Sequence, residues 1–136
     1  MSDLHIESKI VKNRCEQERI YTFLADFRNF ENLLPPDVGN RHFEAETCSF
    51  SAKGQQVTLN FVSKEPYDCL KIGSSGTPLQ EVFLWVQLKK TEDLQTAIKL
   101  TLKADVNMFL KNMVEKPMKA VLDTLADRLA VMDFNR

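Results

Sequence analysis

Histidine is scarce in this 136-residue chain, present only as His5 and His42, and cysteine appears three times, as Cys15, Cys48 and Cys69. The thiols are far apart and form no CxxC, and none of these residues has zinc-site spacing, so neither a metal site nor any cofactor is expected. An odd number of scattered thiols argues against a disulfide framework and for a reducing, cytoplasmic setting. An excess of either charge is also missing. The 18 basic and 19 acidic side chains leave a net charge of −1, so no overall field recruits nucleic acid or an anionic membrane. No apolar run approaches the roughly 18 residues that span a bilayer, which excludes stable membrane insertion by a helix. The opening MSDLHIESKI, acidic and alternating, does not read as a secretory signal.

What is present is the balance of an ordinary globular protein, 43% apolar and 27% charged. The length suits one domain over 1–136 that buries about two-thirds of its unfolded surface. No internal repeat, low-complexity tract or linker divides it.

Leu4, Ile6, Ser8 and Ile10 alternate with polar neighbours at the period of a half-buried strand. Asn13 stands three residues before Glu16, as in a capping box with Asn as the cap. Ile20, Phe23, Leu24 and Phe27 then mark one face of a helix, and Phe30, Leu33 and Leu34 begin a fresh stripe that stops at Pro35 and Pro36. The pattern predicts two short consecutive helices with a kink between Asp26 and Arg28.

Six segments rich in β-branched and aromatic residues follow, at His42–Thr47, Ser49–Lys53, Val57–Glu65, Cys69–Ser74, Glu81–Lys90 and Gln95–Ala104. Their connections, at Gly54, at Pro66–Tyr67–Asp68, from Gly73 to Pro78 and at Thr91–Glu92–Asp93, suit an antiparallel meander. The chain closes on about 26 residues of helical pattern, with Leu110, Val114, Met118, Val121, Leu125, Leu129 and Met132 on one stripe. Pro117 lies inside it and should kink the helix.

A sheet with one apolar face must be covered, and the last helix has the longest stripe with which to cover it. A twisted sheet of six or seven strands curls around such a helix, and one helix about 10 Å across cannot fill the whole concave face. The two short helices would close the remaining gap as a lid. The expected fold is therefore α+β, a curved antiparallel sheet wrapped around a long carboxy-terminal helix.

Three phrases, IYTFLADFRNFENLLP, FVSKEPYDCLKI and FLWVQLKKTEDLQTAIKLTLKADV leading into the long helix, together with the order of elements, resemble the START-like (SRPBCC) superfamily. This is the helix-grip fold of birch-pollen-allergen-like proteins, lipid-transfer domains and polyketide cyclases. The resemblance covers nearly the whole chain and implies an apolar pocket between sheet and long helix. It does not imply a common reaction.

The residues expected to line such a pocket are Phe23, Phe27, Phe30, Leu34, Leu84, Val86, Ile98, Leu100, Leu102, Leu110, Val114, Met118 and Val121. Symmetric pairing about the Thr91–Asp93 turn puts Leu84 and Val86 on one face with Ile98, Leu100 and Leu102, and Phe83 and Trp85 on the other. A one-residue shift would reverse this. Met108, Met113, Met118 and Met132 would give the helix an adaptable wall. Candidate acid–base residues are His42, Tyr21, Tyr67, Glu46 and Asp105, but no catalytic spacing joins them. The inward positions are almost all aliphatic, which disfavours an enzyme.

The expected function is binding or transport of a small hydrophobic ligand, such as a lipid, quinone or polyketide-like compound. One alternative is a cyclase or dehydratase with a titratable group in the pocket. The other is a non-catalytic interaction module with a filled core, in which an outward Phe83 and Trp85 mediate a homodimer or bind a partner.

Overall fold

The amino-terminal alternation breaks at Ser8. In the computed structural model, which describes residues 2–33, 38–52, 55–75 and 82–134, Leu4, Ile6 and Ser8 are buried, whereas Ile10 is 65% exposed. Strand β1 (Ser2–Glu7) ends there and β2 (Val11–Asn13) resumes beside the same neighbour, β8 (Gln95–Val106). Glu7 faces Thr101 and Val11 faces Ile98, so three residues oppose two, which is a β-bulge. Ser8 holds the joint together: its amide donates to the Leu100 carbonyl at 2.8 Å, and its Oγ accepts from the Leu100 amide at 2.9 Å.

Between these edge strands and β8 the chain forms α1 (Gln17–Leu24), a 3-10 helix (Phe27–Leu33), and strands β3 (Gly39–Phe43), β4 (Thr47–Ala52), β5 (Gln55–Glu65), β6 (Cys69–Ser75) and β7 (Val82–Glu92). Helix α2 (Met108–Val131) closes the chain. The described strands make one antiparallel sheet in the order β1-β8-β7-β6-β5-β4-β3, with β2 also on β8. The sheet has eight strands rather than six or seven because the bulge divides the first. The expected strands His42–Thr47 and Ser49–Lys53 are displaced, because Glu44, Ala45 and Glu46, poor strand formers, make the turn between β3 and β4. Leu34, Pro35, Pro36, Lys53, Gly54 and the stretch from Gly76 to Glu81 lie outside the described residues.

The β7–β8 hairpin has the face assignment expected from symmetric pairing. Leu84 faces Leu102, Val86 faces Leu100 and Leu88 faces Ile98 on the inner side, while Phe83 faces Lys103 and Trp85 faces Thr101 outside. The turn lies at Asp93–Leu94, one residue later than expected, with Leu94 at φ 59°.

The capping box is a correction. Glu16, not Asn13, occupies the N-cap of α1. The Asn13 amide instead donates to the carbonyls of Leu129 at 2.8 Å, Ala130 at 3.2 Å and Met132 at 2.9 Å. It thereby satisfies the acceptors that the end of α2 leaves open. The break between α1 and the 3-10 helix falls at Ala25–Asp26, at the start of the expected kink and ahead of the second stripe. Asp26 Oδ1 accepts from the Arg28 amide at 2.9 Å, and the Phe27 amide donates to the Ala45 carbonyl at 3.1 Å.

Helix α2 is capped by Asn107, whose side chain accepts from the Leu110 amide at 2.8 Å, and it continues through Pro117. It packs on β1, β2 and β8. Its buried residues are Leu122, Ala126 and Leu129, whereas Val121, expected on the inner stripe, is 48% exposed. The inward line follows the i+4 step from Met118 to Leu122 rather than the i+3 step to Val121. Met108 and Met113 face solvent, so the expected methionine wall is reduced to Met118 and Met132, which pack against the core. Because α2 covers one side of the sheet, the concave face of β4 to β7 needs another cover.

Candidate functional site: an apolar cavity under the 3-10 helix

The aromatics of the bent segment divide into anchors and cover. Phe27 is fully buried and stacks on Phe61 of β5, with ring centroids 4.1 Å apart. Phe23 meets Phe134 edge-on at 5.2 Å, and Phe30 meets Phe27 edge-on at 5.0 Å. These contacts fix the segment over the concave face, where Phe30 and Leu33 close a cavity of about 210 Å³. Its floor is Phe50 of β4, Leu59 of β5, Ile72 of β6, Leu84 and Val86 of β7, and Leu100 of β8. Leu24 of α1 and Leu125 and Leu129 of α2 complete the walls. Every described lining side chain is aliphatic or aromatic. None of these described side chains can accept or donate a proton, so they can bury an apolar molecule but cannot solvate a charge.

The cover is held by backbone contacts. Arg128 of α2 donates from Nη1 to the Leu33 carbonyl at 2.9 Å, and Arg41 of β3 donates from Nη1 to the Glu31 carbonyl at 2.8 Å. Asn29 donates to the Phe23 carbonyl at 2.8 Å, closing the bend on itself.

Of the expected pocket residues, Phe30, Leu84, Val86 and Leu100 meet at the cavity. Phe23 and Phe27 serve as anchors beside it. Ile98 and Leu102 are buried in the core, and Leu110, Val114 and Met118 are half-buried against it, all away from the lining. Val121 faces outward, and Leu34 lies outside the described residues. Sequence reasoning missed Leu24, Leu33, Phe50, Leu59, Ile72, Leu125 and Leu129. The alternation of β4 to β6 carried the signal for Phe50, Leu59 and Ile72, since each sits on the apolar phase of its strand.

None of the five candidate acid–base residues lines the cavity. His42 is exposed and lies 3.1 Å from Glu44, and Glu46 pairs with Lys64 at 2.7 Å. Asp105 is exposed on β8. Tyr21 is buried, meets Tyr67 edge-on at 5.4 Å, and its hydroxyl has no hydrogen-bond partner among the described residues. Burial pushes its pKa up. The Cys48 thiol, buried on β4, is likewise pushed up, to about 11.

On the opposite face of the sheet, Phe83 and Trp85 are half-exposed and 6.1 Å apart. Lys71 lies over both rings, at 4.4 Å and 5.2 Å, and Lys103 lies 5.6 Å over Trp85. Gly73 leaves the space that Phe83 occupies, since a side chain there would meet it at 3.5 Å and Val62 at 2.8 Å. Among the described residues, no helix is long and apolar enough to cross a membrane.

No protein-family model and no curated protein sequence matches the chain. Solved structures do. Norcoclaurine synthase from Thalictrum flavum superposes with a TM-score of 0.70 at 12% identity, covering 96% of this chain and 88% of that one. CalU16 from Micromonospora echinospora gives 0.56 at 12% identity over the same shares of the two chains, 96% and 88%. The Aha1 dimer from Colwellia psychrerythraea gives 0.61 at 16% identity, over 96% and 98%. The chain thus has the helix-grip fold of START-like (SRPBCC) proteins. At these identities the likeness establishes fold alone.

Proposed function

We propose that the protein, as one domain over 1–136, binds a small hydrophobic molecule in the cavity between the sheet, the 3-10 helix and the carboxy-terminal half of α2. The observation that carries this reading is a partly open space of about 210 Å³ whose described lining consists of apolar side chains. Natural cores hold few voids larger than a water molecule, and an unfilled space of this size weakens the fold. Burying ligand surface there supplies about 25 cal/mol per Å² without any directional polar contact. The proposed binding residues are Phe30, Leu84, Val86 and Leu100, which line the cavity as expected from the sequence, together with Leu59 and Leu125. Native mass spectrometry of freshly purified protein should reveal a co-purified apolar molecule, and ethylbenzene should bind saturably by NMR. Failure of both would overturn the reading.

A second reading rests on the outer face. Phe83 and Trp85, flanked by Lys71 and Lys103 and bordered by Asp3 and Asp105 beside Phe83, form an apolar centre with a charged rim, the anatomy of an interface. Its proposed occupant is a second copy of this chain, supported by the dimeric state of the Colwellia Aha1 neighbour. Trp85→Ala should shift sedimentation from dimer to monomer, and an unshifted profile would reject the interface.

A further inference from the structure

The cavity also sets which end of a ligand enters it and how much of it is taken. An apolar cavity of about 150 Å³ holds one benzene, six non-hydrogen atoms. The 210 Å³ here scales to about eight or nine such atoms. The described lining residues, from Leu24 to Leu129, offer no hydroxyl, amide or charged side chain to a buried polar group. A ligand hydroxyl or carboxylate buried among them would therefore lose its hydrogen bonds to water and gain none.

Building on the proposed binding function, we infer that the site is selective by size and polarity. It takes a compact apolar moiety of about eight or nine carbons, as a free hydrocarbon or as the terminal segment of an amphiphile whose polar group stays at the opening. A whole long-chain lipid is not engulfed. Methylenes beyond the ninth remain in water and add nothing to affinity.

The test is a series of 1-alkanols from butanol to tetradecanol, with octane-1,8-diol as the polarity control, titrated by NMR against the full chain. Each added methylene should tighten binding about fourfold, the equivalent of ~0.8 kcal/mol per buried methylene, up to about nine carbons, after which the curve flattens. Octane-1,8-diol should bind at least about 30-fold more weakly than 1-octanol, because one hydroxyl is forced inside. Leu125→Ala removes three carbons from the wall and should move the plateau to about twelve. Affinity that keeps rising to tetradecanol in the wild type would overturn the size limit while leaving apolar binding intact. Equal affinity for the diol and octanol would overturn the polarity rule. If no alkanol binds, the underlying binding function falls with it.

Discussion

Val86→Ile is the substitution whose sign depends most cleanly on the cavity. Val86 is 4% exposed, lies between Leu70 and Leu100 in the sheet, and lines the space under Phe30. Isoleucine keeps the β-branched rotamer preference of the strand and adds one methylene. Directed into open space, that group should stabilise the fold by about 0.8 kcal/mol, a rise in Tm of about 3 °C at this chain length. Directed into a packed core, it would destabilise by about 1–3 kcal/mol. Urea denaturation followed by circular dichroism separates the two, provided the slope m is unchanged. A lower midpoint for Val86→Ile would refute the reasoning.

The remaining predictions concern how the cover and the helices are held. Asn13→Ala should lower stability by about 1–3 kcal/mol in urea and speed amide exchange in the last turn of α2, because three carbonyls lose their donor. Asn13→Asp should be worse, since a carboxylate would face those same oxygens. Arg128→Ala removes the exposed tie to the Leu33 carbonyl; stability should change by less than about 1 kcal/mol while NMR line shapes report faster ligand exchange. For Cys48, burial raises the folded thiol from 9.0 to about 11. Its stabilising contribution is complete below pH 9 and declines as pH climbs towards 11, by on the order of 2–3 kcal/mol. Wild-type stability should thus fall more steeply than that of Cys48→Ala across this interval, and parallel slopes would contradict the shift.

Much of the architecture was legible because periodicity reports burial directly. The change of stripe between Phe27 and Phe30 marked a bend close to where α1 gives way to the 3-10 helix, and alternation along Phe83–Gln87 and Lys99–Lys103 left two face assignments, of which the hairpin adopts the one from symmetric pairing. Local patterns failed where a distant partner decides the role. Asn13 has the spacing of a helix cap, yet its amide serves the far end of α2, more than a hundred residues away in sequence. Val121 and Leu122 are equally apolar, and the docking of α2 on β1, β2 and β8 determines which of them turns inward. The same docking explains which residues of α2 reach the cavity. The residues expected from the amino-terminal half of α2 lie away from the lining, because the space opens beside Leu125 and Leu129.

Xenon tests the central claim most directly, because it enters apolar voids without requiring hydrogen bonds. In a crystal of the protein held under xenon pressure, a bound atom is expected among Phe30, Leu59, Val86 and Leu125. A closely packed interior at that position, with no xenon density, would contradict the account.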